Sequence, residues 1–465
     1  MQGLLITLGA FALILLLSRV KVPLAAAILA ASVFIGAMFG WLVPGAPADA
    51  ASVGGLAATV GLGLIQPGTI ALAIMTACLL SLSGAMKVGG QMERIVALAR
   101  PLGPRVTLAT LPATVGLLPM PGGAVFSAPM VESAAGQTAA GRRLSGGKLS
   151  AVNYWFRHVW EYWWLLYPGV LAAHEMTGRS FLEFTPTQLP LTAFMIGAGL
   201  LLFRAGRKGA EPHEHTTPPP PPTSPGAQHS ESPRPWQTVA RIAEAVAPIV
   251  LILSVAIPGM VLLRRLPTGT MPARLQSVVA RYAPITAGVL AALAWVVVTG
   301  HVSAAALRKI LTSRRVIEMT TLVMSVMVFH YMLDHVSAAQ RIAREMSDLH
   351  VPVMLVVMIL PFVAGLVTGL AIGFVGSSFP IVLPLAAATV PAGADAFGLM
   401  SAYIALAYAF GHLGQMMSPL HVCHVMSNRY FRTGFGPVYR ELVPAAVLTA
   451  ALAVGYFAML WAIFA

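Results

Sequence analysis

Leu118-Pro-Met-Pro-Gly-Gly-Ala-Val-Phe-Ser-Ala-Pro-Met-Val-Glu132 and Gly369-Leu-Ala-Ile-Gly-Phe-Val-Gly-Ser-Ser-Phe-Pro380 set glycine and proline in the middle of apolar sequence. The apolar pieces on either side, within 105–140 and 352–390, run to roughly 14 residues, whereas a membrane crossing needs about 20. Broken backbone at membrane depth strands N–H and C=O groups, and is tolerated only inside protein or beside a watery cavity. The two stretches are therefore expected to be re-entrant hairpins broken at 119–123 and at 369–376.

The rest of the chain has to supply a membrane protein around them. Of 465 residues, 57% are hydrophobic and 10% charged, against about a quarter charged in soluble domains. Complete spans are expected at 3–17, 22–43, 69–86, 151–173 and 186–203, then at 240–263, 279–298, 316–333, 396–426 and 443–464. The first run ends at Arg19 and Lys21 with no basic segment before it, so it reads as a span and not as a cleaved signal. With the N-terminus outside, 21 Lys and Arg fall in inside loops and 7 in outside loops, and Arg157 lies within a span. The net charge of +13 then reports orientation and not affinity for nucleic acid, because cytoplasmic loops collect Lys and Arg. Cys78 and Cys423 both sit in apolar surroundings and make no disulfide framework.

Residues 206–236, with prolines at 218–222 and His213, His215 and His229 nearby, have too little apolar surface to fold. They read as a cytoplasmic tether between repeat 1 (1–205) and repeat 2 (237–465). A shift of 251 residues aligns Pro101 with Pro352, Gly122 with Gly373, Ser127 with Ser378, Pro129 with Pro380 and Pro168 with Pro419, without a gap. Identities reach only 13 of 68 positions, so the weight falls on matching context: hairpin faces hairpin, and interrupted helix faces interrupted helix. Five crossings separate equivalent points, which makes the halves antiparallel. The expected fold class is an all-α polytopic membrane protein of two inverted five-helix repeats, each with a re-entrant hairpin, as in secondary transporters.

Three motifs carry a family resemblance. The stretch 118–132, Asn153-Tyr-Trp-Phe-Arg-His-Val-Trp-Glu-Tyr-Trp-Trp164 and Gly411-His-Leu-Gly-Gln-Met-Met-Ser-Pro-Leu-His421 resemble the integral membrane family "domain of unknown function 401", a branch of the ion transporter superfamily. The resemblance implies a scaffold-plus-mobile-domain carrier, often a homodimer, in the plasma (inner) membrane of a prokaryote, with sites at the hairpin tips. It implies no particular substrate.

Candidate site residues follow from chemistry at the breaks. Gly122 and Gly123 leave amides open to a ligand, Ser127 adds a hydroxyl, and Pro129 suits the first turn of a returning helix, whose N-terminus favours anions. Gly376, Ser377, Ser378 and Pro380 repeat that arrangement, with Thr368 beside them. A lone serine more often bonds back to its own helix; two matched ones argue for a site. Between Tyr154 and Tyr167 lie eight aromatics, including four of the eight tryptophans. An interfacial belt explains some of them. Within the run, Arg157, His158 and Glu161 fall on neighbouring helical faces by i,i+4 and i,i+3 spacing; a self-neutralised pair is as good a reading as a functional one.

The repeat shift sets Glu161 opposite His412, a carboxylate and an imidazole able to relay a proton, with Gln415 and Ser418 one turn on as substrate or ion ligands. His421, Cys423 and His424 read as packing or substrate-lining groups, since no second cluster completes a metal site, and no metal or cofactor is expected beyond a coupling Na+ or H+. Glu132 is either a buried ionisable group or part of the cytoplasmic mouth, and His330 with Asp334 is expected at the outer surface. No HExxH, GxSxG or phosphate-loop motif occurs, so hydrolysis and ATP-driven pumping lack support. The leading expectation is a carrier of a small organic anion. A cation/proton antiporter, and a sensor or assembly factor on a transporter fold, stand as alternatives.

Overall fold

A computed structural model describes residues 2–44, 47, 50, 52–91, 104–117, 123–136, 141, 144–203, 235–265, 272–338, 341–342, 345 and 352–465. Among the described residues there are eighteen α-helices and no strand. They are α1 (Gln2–Arg19), α2 (Leu24–Leu42), α3 (Val53–Ile65), α4 (Pro67–Val88), α5 (Pro104–Gly116), α6 (Ala124–Gly136), α7 (Gly146–Arg157), α8 (Pro168–Thr177) and α9 (Phe181–Gly199). Then come α10 (Pro235–Arg265), α11 (Ala273–Thr299), α12 (Ala304–Leu311), α13 (Arg314–His335), α14 (Val353–Thr368), α15 (Ala371–Ala388), α16 (Ala396–Met416), α17 (Val422–Tyr430) and α18 (Phe435–Phe464). Nine helical stretches among the described residues are long and apolar enough to cross a bilayer, which makes the chain a multi-pass membrane protein.

The structure interrupts two of the expected spans and narrows one of the expected breaks. Segment 151–173 is not one continuous helix: α7 stops at Arg157 and helix resumes only at Pro168. Likewise 396–426 breaks after Met416 and restarts at Val422. The second glycine stretch is unwound only at Gly369 and Leu370, so α15 has 18 residues and reaches crossing length. Gly373 and Gly376 stay helical because they are clearances, not hinges: a Cβ at the first would collide with the Thr368 side chain, at the second with Val326. Helix α3 was not foreseen. It starts at Ser52, whose hydroxyl accepts from Gly55 N at 3.0 Å, the usual serine cap. Residues 206–234 of the tether and the stretch 92–103 lie outside the described residues, as do His213, His215 and His229, whereas Pro235 and Trp236, expected in the tether, begin α10.

The 251-residue shift carries α3 onto α12, α5 onto α14, α6 onto α15, α8 onto α17 and α9 onto α18. Two sets of helix ends meet at opposite poles. At one pole Glu345 accepts from Gly3 and Leu4, Arg341 donates to Pro44 O, Arg281 pairs with Glu175 at 2.8 Å, and Asp395 N donates to Phe464 O. At the other Lys148 lies 3.5 Å from Glu441, Ser150 donates to Asn428 Oδ1, and the Tyr430 hydroxyl donates to Glu132 Oε2 at 2.7 Å.

Candidate functional site

The centre of the molecule is where both broken helices fail to continue. Residues 158–167 form successive turns instead of helix, and their side chains serve the neighbouring helix end. The last carbonyls of a helix have no partners of their own, and the bilayer supplies no water. At the end of α5, Arg157 Nη1 donates to Val115 O at 3.0 Å, Trp160 Nε1 to Ala113 O at 2.8 Å and Trp164 Nε1 to Leu117 O at 2.8 Å. The Tyr167 hydroxyl donates to Gly116 O. Gly116 and Gly123 give Arg157 its space, since a Cβ on either would fall on its backbone or its guanidinium. The aromatic run is thus chiefly a capping device and not an interfacial belt.

The two breaks also cap each other. The Tyr154 hydroxyl donates to Met416 O at 3.1 Å, at the end of α16, and the Tyr408 hydroxyl, from α16, donates to Glu161 O at 2.8 Å. This places the Glu161 carboxylate, 5% exposed, against the second half of the chain. Gln415 Nε2 donates to its Oε2 at 2.7 Å, and His412 Nδ1 lies 3.9 Å from the same oxygen. His158 Nε2 lies 3.7 Å from Oε1. The i,i+4 approach of Arg157 to Glu161 required an unbroken helix; the helix ends at Arg157, whose guanidinium reaches the end of α5 instead.

A cavity of about 80 Å³ opens here, lined by Arg157, His158, Glu161, Gln415, His421 and Cys423. Three helix N-termini border it: Pro168 and Gly169 of α8, Ala371 and Ile372 of α15, Val422 and Cys423 of α17. Such ends present free N–H groups and partial positive charge. Several buried polar atoms nearby have no hydrogen-bond partner: both ring nitrogens of His412, Gln415 Oε1, His421 Nδ1 and the Tyr162 hydroxyl.

The other expected site residues are not among those lining this cavity. Gly122 is outside the described residues. Ser377 and Ser378 are fully buried and donate to Gly373 O and Phe374 O, one turn back in their own helix. Ser127 bonds back weakly to Ala124 O at 3.4 Å, and Thr368 to Ala364 O at 2.8 Å. Ser418 Oγ accepts from Leu420 N within the second break. Glu132 is buried beside Tyr430 near the pole of Lys148 and Glu441. His330 lies 3.6 Å from the largely exposed Asp334. His424 stacks on Tyr154, with centroids 4.6 Å apart. His421 and Cys423 line the cavity, one of the two roles expected for them, whereas Ala371 and Ile372 at the start of α15 were not among the expected site residues. Only the prolines and glycines that end each break hinted at them.

Fold and site together define a helical multi-pass membrane protein with a small polar chamber between discontinuous helices. The chain belongs to the family described as "Protein of unknown function (DUF401)", whose profile matches residues 54–211 and 272–460. It is also similar to a solved structure, the Alcanivorax borkumensis YdaH transporter, reported to have an unusual topology. That likeness has a TM-score of 0.53 and 14% identity, and covers 99% of this chain and 98% of that one; at such identity it shows the fold alone. No curated protein matches the sequence.

Proposed function

We propose that this chain is a secondary active transporter, working by an elevator-like movement, that carries a small organic anion, a carboxylate, coupled to H+ or Na+. The observation that carries this reading is the convergence of three helix N-termini and Arg157 on one buried cavity, a surrounding suited to anionic oxygen. The solved transporter of like fold lends it support. Two inverted repeats, 1–205 and 237–465, are supported by the shared order of elements. The pair α5/α6 opens towards the pole of Lys148 and Glu441, and α14/α15 towards the pole of Asp395 and Phe464, which supports re-entrant hairpins entering from opposite sides. The 21-to-7 charge bias supports placing both termini outside and the tether in the cytoplasm, in a prokaryotic inner membrane. A homodimer is the assembly this reading carries.

In the mechanism, the substrate carboxylate sits among the N–H groups of α8, α15 and α17, with Arg157 as its fixed counter-charge. Glu161, held by Gln415 and flanked by His158 and His412, takes up and releases the coupling proton. Glu161→Gln keeps an acceptor for Gln415 but has no proton to exchange. In proteoliposomes offered a panel of carboxylates under imposed proton and sodium gradients, the wild type is expected to accumulate an anion. The variant is expected to insert normally yet lose accumulation; unchanged proton-driven uptake in it removes Glu161 from the mechanism. Cation flux without any anion would replace this reading by cation/proton exchange, for which the same buried carboxylate between two imidazoles speaks. No flux of either kind leaves a sensor or assembly role.

A further inference from the structure

The chamber wall also holds a constellation of the metal-ligand type. His158, at the start of the first break, meets His421 and Cys423, at the end of the second, and their ligand atoms all lie within 4.8 Å of one another. All three are buried, at 1%, 6% and 3% exposure. We propose that these side chains bind a thiophilic d10 cation, Zn2+, through His158 Nε2, a ring nitrogen of His421 and the Cys423 thiolate. The inference does not depend on the transport reading, although His158 and Glu161 take part in both.

Four observations support it. First, the donor set of two imidazoles and one thiolate is one that Zn2+ prefers, and three protein ligands with an open fourth position is a recurrent zinc arrangement. Second, His158 is oriented for the task. Its Nδ1 lies 2.6 Å from Tyr154 O, an acceptor that requires the proton on Nδ1 and leaves the Nε2 lone pair free. That outer hydrogen bond is what fixes metal-binding histidines. Third, His421 Nδ1 is buried without a hydrogen-bond partner, and an orphaned polar atom of this kind calls for a ligand. Fourth, the cavity that all three line also holds Glu161, whose Oε1 is 3.7 Å from His158 Nε2. Glu161 or a water from the cavity can fill the fourth position.

Bond lengths of about 2.0 Å to nitrogen and 2.3 Å to sulfur put tetrahedral donor atoms roughly 3.5 Å apart. Side-chain rotations that close each gap by about an ångström complete the shell without moving a helix. The charges also fit. Arg157 adds one positive charge to the chamber, and the thiolate and the Glu161 carboxylate together offset it and half the charge of the ion. Because His158 belongs to one break and His421 and Cys423 to the other, a bound ion ties the two halves together.

The test uses the purified full-length protein in detergent with Co2+ as a visible stand-in for Zn2+. The wild type is expected to bind one Co2+ per chain, with a thiolate-to-cobalt charge-transfer band that Zn2+ abolishes by displacement. Cys78→Ala should keep that band and Cys423→Ser should lose it, each eluting as the wild-type particle. The tether histidines (His213, His215 and His229) carry no sulfur and cannot produce it. If Cys423→Ser does not survive purification, His421→Gln decides: it retains the thiolate, and its Co2+ affinity should fall at least about tenfold. A wild type without the band, a band that persists in Cys423→Ser, or a His421→Gln affinity equal to wild type overturns the proposal.

Discussion

The tips of α5/α6 and α14/α15 solve one problem in two ways. Each must end a helix in the buried centre of the molecule, where an unpaired carbonyl finds no water. The first tip borrows donors: Arg157, Trp160, Trp164 and Tyr167 reach across from the broken helix and cap the last turn of α5. The second closes on itself. Gly369 takes a left-handed conformation at φ 63° and returns its N–H to Gly365 O, while Thr368 bonds back to Ala364 O. Its neighbour α16 then comes close enough for backbone to touch backbone, at Gly365, Gly411 and Gly414. Side-chain capping makes a junction of separable parts, and glycine contact makes a rigid one. The second tip is therefore expected to be the more rigid of the pair.

The sharpest way to break this contrast is to crowd the second tip. A Cβ at Gly414 falls onto Phe362 O, and one at Gly365 onto Gly411 O and Gln415 N. These are backbone atoms, which cannot swing aside as a side chain can. Gly414→Ala and Gly365→Ala are each expected to cost at least about 3 kcal/mol, the upper end of overpacking. The readout is thermal unfolding in detergent, or loss of the monodisperse species. A cost below about 1 kcal/mol would show that α14 and α16 can part, and that the second tip is not the rigid one.

A medium effect separates the two capping modes. Tyr167→Phe removes only the hydroxyl that serves Gly116 O and leaves that buried carbonyl unpaired, at a cost of about 1–3 kcal/mol. Thr368→Val removes a back-bond to a carbonyl inside its own helix, which is worth little, and should cost below about 0.5 kcal/mol. Trp164→Phe should behave like Tyr167→Phe, with an added loss of packing. Equal unfolding temperatures for Tyr167→Phe and Thr368→Val would erase the distinction.

Much of this was legible in the sequence, because glycine and proline mark where a helix cannot continue. The two broken pairs, the breaks before Pro168 and near Pro419, and the meeting of Glu161 with His412 all trace to that signal. The target of a side chain was not legible. Trp160 and Trp164 serve carbonyls 47 residues earlier, and no local pattern encodes that reach. Helical spacing paired Arg157 with Glu161 only by assuming that the helix continues through them. Matched serines suggested a ligand site, but Ser377 and Ser378 follow the commoner course of bonding to their own helix. His158 and Cys423 share a cavity only after two separate breaks have folded.

A smaller effect than that of Tyr167→Phe asks whether capping matters as much where water is present. Glu345 accepts from Gly3 N at 3.0 Å and Leu4 N at 2.8 Å, so it caps the start of α1 as side chains cap the end of α5. Partial burial pushes its carboxyl upward, but the amide hydrogen bonds from Leu4 and Gly3 outweigh that and hold it below the ordinary carboxylate range. A folded-state value below the unfolded one means that the carboxylate stabilises the protein above the unfolded value. That stabilisation is lost as pH falls through the folded value. At neutral pH, Glu345→Gln should cost about 0.5–1 kcal/mol, as for an exposed cap screened by solvent. The gap to wild type in unfolding temperature should narrow steadily below about pH 4. A gap that widens on acidification reverses the sign and removes Glu345 as a cap. A gap at neutral pH as large as that of Tyr167→Phe would mean that dry and wet helix ends are capped at equal strength, and the contrast between the tips would no longer rest on the absence of water.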